Sequence, residues 1–199
     1  MKQMVDNVYA ELAPLFPGFK LDRNEEGFVR RISTGSQKLL VPFVDRHPRY
    51  TFSLLCCVRL DEVEDICNLF NPARQKYHSM TVTSTTPLRY FHPEGEYKFT
   101  SIQDLKEATA DLATLSKDIL LFMDQHQDKH ALYQDMRKEG ARFDISVDPG
   151  RAMRLVTLAR LCGDPDFRAV LAQQEASASA WHEEDRRRLQ ALMAYLGRI

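Results

Sequence analysis

Gly27–Leu60, GFVRRISTGSQKLLVPFVDRHPRYTFSLLCCVRL, is the stretch whose reading decides the fold. It divides into three strand-like runs separated by turn signals. In Gly27–Thr34 the residues Phe28, Arg30 and Ile32 alternate onto one face, as a pleated strand requires. Gly35-Ser36 makes a turn into Gln37–Asp45, whose Pro42 lacks a donor for the ladder and marks an edge position or a bulge. His47-Pro48 makes a second turn. Tyr50–Leu60 follows, apolar enough to be a central strand covered on both faces. Links this short join neighbouring antiparallel strands, so a meander is expected.

Outward from this core the periodicity becomes helical. Upstream, Met4, Val5, Val8, Leu12 and Leu15 fall on one face of a helix over 2–16, closed by Pro17-Gly18. Downstream, 61–70 predicts a short helix with Asp61 as its cap. The alternating Thr-rich run 79–86 predicts a further strand, and 97–99 another. Ser101 and Asp104 form a capping box for a long helix near 102–126, whose stripe includes Leu105, Leu112, Ile119 and Met123. Asp148-Pro149 and Asp164-Pro165 are two cap-plus-first-turn signals on either side of Gly163, which predicts an αα-hairpin. A last helix over 179–197 turns Trp181, Leu189, Leu192, Met193 and Leu196 to one side. The expected fold is α+β: an N-terminal helix on a four- to five-stranded mainly antiparallel sheet, then a helical C-terminal half. The expected division is 1–147 against 148–199, packed together as one unit.

At 199 residues and 44% hydrophobic content, the chain can bury a core without staples. The formal net charge of −1, evenly divided between the halves, argues against nucleic-acid binding, which needs a positive surface field. No apolar run approaches bilayer length, and Asp6 and Glu11 interrupt what a signal peptide would need, so a cytoplasmic, non-membrane protein is expected. Cys56, Cys57, Cys67 and Cys162 have neither metal-knuckle nor disulfide spacing and read as small buried hydrophobes of a reducing compartment.

Few residues group into chemistry. His126 and His130 stand four apart, a spacing that puts two imidazoles on one helix face within reach of one ion. Gln127 occupies the place of the glutamate in the HExxH pattern, and polar neighbours mark a solvated helix end. His92, Glu94 and Glu96 cluster in the loop Tyr90–Glu96, where an imidazole–carboxylate pair could do acid–base work or meet a partner. Arg30, Arg31, Arg46, Arg49 and Arg59, with Lys38, lie on the three strands, and a sheet showing arginines to solvent suits an acidic partner. Glu183-Glu184-Asp185 before Arg186-Arg187-Arg188 predicts self-paired helical salt bridges. No cofactor is expected.

Leu15-Phe16-Pro17-Gly18-Phe19-Lys20 followed by Gly27-Phe28-Val29-Arg30-Arg31 resembles the opening of a family of small bacterial domains of unknown function. The likeness covers residues 8–60. It implies a curled antiparallel sheet with helices and, for the members that resemble immunity proteins, neutralisation of a secreted toxin. The helical hairpin departs from that pattern. The favoured expectation is therefore a non-enzymatic binding protein acting through a protein–protein interface, with Arg30, Arg46, Arg49, His92, Glu94 and Glu96 as contacts. The alternative is a small hydrolase or transferase with a His/Glu or His/His site in a cleft.

Overall fold

The computed structural model describes residues 2–73, 75–138 and 149–198. It is α+β, with helix α1 (Lys2–Leu12), a mainly antiparallel five-stranded sheet, a separate three-stranded sheet and a helical C-terminal half. Two compact units divide it: Met1–Val58 with Thr85–Gln125, and Arg59–Ser84 with His126–Ile199. The division therefore interleaves and does not fall near 147. The long helix ends one unit, and the segment after residue 58 joins the C-terminal helices.

In the first unit, α1 stops at Leu12 and Ala13–Leu15 tightens into a 3₁₀ turn, because Pro14 cannot continue the hydrogen-bond ladder. Val8, Tyr9 and Leu12 are buried, and Tyr9 meets Phe28 edge-on at 5.7 Å. β1 (Lys20–Asp22) had no signal in the alternation and pairs antiparallel with β2 (Gly27–Ile32), which pairs with β3 (Gly35–Leu40). Gly27 must lack a side chain: a Cβ there would lie 2.2 Å from the Leu39 carbonyl oxygen.

The expected second and third strands each split in two. The chain leaves β3 at Val41-Pro42, forms the hairpin β4 (Phe43–Arg46) and β5 (Arg49–Phe52), and returns as β6 (Leu55–Leu60). Pro42 accepts from the Ser53 amide, 3.1 Å, where the two halves part. The meander is thus interrupted. The larger sheet runs β1-β2-β3-β6-β7, where β7 is Ser84–Pro87, and the smaller runs β4-β5-β8, where β8 is Tyr97–Phe99. The strand expected over 79–86 is shorter because Gln75–Met80 coils into a 3₁₀ helix.

Helix α3 (Ile102–Gln125) starts as its capping box requires, with the Asp104 amide donating to Ser101 Oγ at 3.1 Å and the Ser101 amide to Asp104 Oδ2 at 3.2 Å. Hydroxyl and amide donors of Thr100 and Ser101 hold the Asp104 carboxyl down at about 2.

In the second unit are α2 (Asp61–Asn68), α4 (Lys129–Lys138), α5 (Pro149–Leu161), α6 (Phe167–Ser177) and α7 (Glu183–Leu196). Leu60, not Asp61, takes the cap position of α2, and the Asp61 carboxylate receives Arg59 Nε at 2.6 Å. Asp148 lies outside the described residues. Gly163, at φ 65°, closes α5, with the Asp164 amide reaching back to the Ala159 carbonyl at 3.0 Å. This makes the αα-hairpin of α5 and α6. Trp181 lies before α7, not on its face, and Arg186 donates back to the Ser179 and Trp181 carbonyls, both at 3.0 Å, so it is not part of the salt-bridge ladder. Glu183–Arg187 and Glu184–Arg188 do pair as expected. Leu189, Leu192 and Leu196 are buried. Among the described residues, no helix is long and apolar enough to cross a membrane.

Candidate partner-binding surface

The three-stranded sheet has two unlike faces, set by register alone. Antiparallel partners share a face, so Phe43↔Phe52, Tyr50↔Phe99 and Phe52↔Tyr97 build one aromatic side. Phe52 stacks on Tyr97 at 5.3 Å and Tyr50 lies 5.5 Å from Phe99. The alternate positions, Val44↔Thr51, Arg46↔Arg49 and Thr51↔Lys98, build the other side. With Pro48, Glu96 and Thr100 they line a groove of about 370 Å³.

Arg46 and Arg49 are exposed and directly opposite each other at the end of the hairpin. Among the described residues neither has an ion pair or side-chain hydrogen bond. Like charges facing across a ladder cost stability. Lys98 is also exposed and reaches Glu96 at 3.0 Å. Three cations therefore share the groove with one carboxylate, beside an exposed Val44.

The remaining expected contacts lie elsewhere. Arg30 sits on the five-stranded sheet, donates to Gln37 (2.8 Å from Nε) and Asp124, and covers the Phe19 ring at 4.7 Å. Gln37, fully buried, passes this on by donating to the Met123 carbonyl at 2.7 Å. Arg30 thus fastens β2 to α3. Lys38 is buried against Glu25 at 2.8 Å, and Arg59 is buried in the second unit, so neither belongs to an exposed arginine face. Glu94 is exposed. His92 faces Asp111 instead of Glu94, at 3.4 Å, and lies tilted against the Tyr97 ring at 4.9 Å, whose hydroxyl donates to the same carboxylate at 2.7 Å. Burial and that carboxylate push the Tyr97 hydroxyl up, so it stays a donor. Phe91 meets Phe122 of α3 at 5.3 Å. The loop is clipped to α3 by both contacts.

His126 and His130 do not share a helix face. The first is buried in the turn after α3, and the second is exposed on α4. His126 Nε2 donates to Asp135 at 2.9 Å. No group of three or more His, Cys, Asp or Glu among the described residues is arranged to hold a metal ion. Burial drives the Cys57 thiol up to about 11 and the Cys67 thiol to about 12, the reverse of what a nucleophile needs.

Desolvation holds the His126 imidazole below its ordinary value, outweighing Asp135, which raises it. The sign follows. Below about pH 6.5 the unfolded imidazole takes a proton that the folded one refuses. Stability contributed here is complete above that pH and falls as the pH drops toward the folded value. His126→Gln should flatten the pH dependence of urea midpoints between pH 7.5 and 5.5; an unchanged slope would contradict the assignment.

Lys98 and Val44 were missed as site members, although the strand expected over 97–99 already set Lys98 on the face opposite Tyr97 and Phe99 by period-2 reasoning. No family model, no curated protein and no solved structure matches this chain.

Proposed function

We propose that this chain is a binding protein whose three-stranded sheet receives an acidic protein segment on its Arg46–Arg49–Lys98 face. The observation that carries this reading is the pair of opposed, exposed arginines, neither of them ion-paired among the described residues, while Glu96 of the same groove pairs with Lys98. Complementary charge steers encounter and fixes register, and arginine forks suit carboxylates. A standard interface covers about 800 Å² on each partner, so the groove forms its centre, with Val44 as an apolar anchor. In the narrower form that the N-terminal resemblance implies, the partner is a toxin. A hydrolase or transferase reading would place chemistry at His92, whose ring is already committed to clipping its loop onto α3.

The test is affinity capture from source cells with wild type, R46E/R49E, and R31E as a control on an exposed arginine of β2. One stoichiometric partner should bind wild type and R31E, dissociate as salt rises from about 50 to 500 mM, and be lost from the double variant. Equal retention by the double variant would contradict the proposal.

A further inference from the structure

β4 ends the three-stranded sheet, with β5 on one side and no strand among the described residues on the other. Successive residues of a strand turn their N–H and C=O to opposite sides, so an edge strand leaves alternate backbone pairs unmade. The phase is fixed by the Ser53 amide, which donates to the Pro42 carbonyl at 3.1 Å, one step beyond the Phe43↔Phe52 register. Pro42, Val44 and Arg46 therefore turn their backbone groups to β5, and Phe43 and Asp45 turn theirs outward. By the same alternation Tyr97 and Phe99 turn to β5, so the opposite edge, β8, offers Lys98 alone. β4 is the better template.

The two sides of this edge differ. Val44, 45% exposed, and Arg46 stand on the cationic groove. Phe43 stands on the aromatic side, and with Val5, Tyr9 and Val41 it supplies the apolar lining of a second groove of about 380 Å³. The charged residues lining that groove are two of each sign, with Arg23 on Asp6 at 2.6 Å, so it has no surplus charge to offer an acid. Asp45, on the same side of the strand as Phe43, is exposed.

Resting on the reading of Arg46, Arg49 and Lys98 given above, we propose that the partner's acidic segment binds by strand addition to the outer edge of β4. Its main chain pairs with Phe43 and Asp45, and its side chains alternate between the two grooves. Acidic side chains fall on the Arg46 face. Apolar ones fall between them on the Phe43 side, where Asp45 repels a carboxylate. The partner is thus an extended segment of alternating acidic and apolar residues, not an acidic helix or an unbroken acidic run.

The probe is a synthetic peptide, acetyl-EVEFEVE-amide, with the same residues in blocks, acetyl-EEEEVVF-amide, as its control. Amide exchange is followed by NMR on the ¹⁵N-labelled full chain. In the free, dilute protein the Phe43 and Asp45 amides should exchange faster than that of Val44, which β5 already holds. The alternating peptide should bind saturably and slow both about tenfold, leave Val44 unchanged, and be lost with R46E/R49E. Loss of binding in R46E/R49E without any slowing at Phe43 and Asp45 in the wild type would overturn strand addition and leave the charged face standing. Binding of peptide and captured partner that R46E/R49E does not weaken would instead overturn the reading on which the proposal rests. No saturable binding, or equal protection by the blocked peptide, also overturns strand addition. So does protection of both amides in the free protein, which if it grew with concentration would show a second copy of the chain on the edge.

Discussion

Arg154→Met should destabilise the protein by about 3–5 kcal/mol, and Glu64→Gln by less, because each removes one half of a buried ion pair. Glu64 of α2 is fully buried and receives Arg154 of α5 on both carboxylate oxygens, at 2.7 and 3.1 Å. The arginine is 19% exposed and the glutamate 0%. Removing the arginine strands a carboxylate that water cannot reach. Removing the glutamate leaves a guanidinium that still touches solvent, hence the order. Replacing both, Glu64→Leu with Arg154→Met, should cost less than Arg154→Met alone, since a buried pair barely repays its own desolvation. Urea unfolding of the three variants measures all of this. An Arg154→Met cost below about 1 kcal/mol would show that the pair is solvated.

Arg59→Met should cost about 2–4 kcal/mol and loosen the segment 71–83 in particular. The Arg59 side chain is 8% exposed and works as a four-way tie. It donates to Asp61 Oδ1 at 2.6 Å, the His78 carbonyl at 2.7 Å, the Thr81 carbonyl at 3.0 Å and Thr81 Oγ1 at 2.8 Å. Methionine keeps the packing volume but leaves the half-buried Thr81 carbonyl without this donor, where an unmade bond costs stability. His78 is less exposed to this loss, because its carbonyl also receives the Thr81 hydroxyl at 2.8 Å. Hydrogen exchange should therefore accelerate most around 78–83. Arg59→Lys, with a point charge in place of the fork, should recover only part of the loss. Acceleration spread evenly over the chain would argue against a local tie.

What could be read in the residues follows from how local each signal is. The capping box at Ser101 and Asp104 and the helix stop at Gly163 are settled within one helical turn, and both stand as expected. The turn signal at His47-Pro48, between Arg46 and Arg49, is equally local. The switch between sheets is not. Tyr50–Leu60 looks unbroken because both of its halves are apolar, yet they pair with different partners, and the break is visible only once the Leu88 amide meets the Leu54 carbonyl at 2.8 Å. Burial of charge is likewise hidden. Nothing near Lys38, Arg59 or Glu64 distinguishes them from solvated neighbours, because what compensates each one is supplied wholly or partly by residues remote in the chain: Glu25 for Lys38, His78 and Thr81 for Arg59, Arg154 for Glu64. The groove combines both cases: its arginines were legible as exposed strand residues, but its third cation, Lys98, arrives through pairing of β5 with β8.

The most direct test of the sheet face as a docking surface is hydrogen-exchange footprinting of the protein with its captured partner. Protection concentrated on 43–52 and 96–100, absent when R46E/R49E is used at the same concentrations, is the result expected. Protection confined to the C-terminal helices, with 43–52 exchanging as in the free protein, would contradict it.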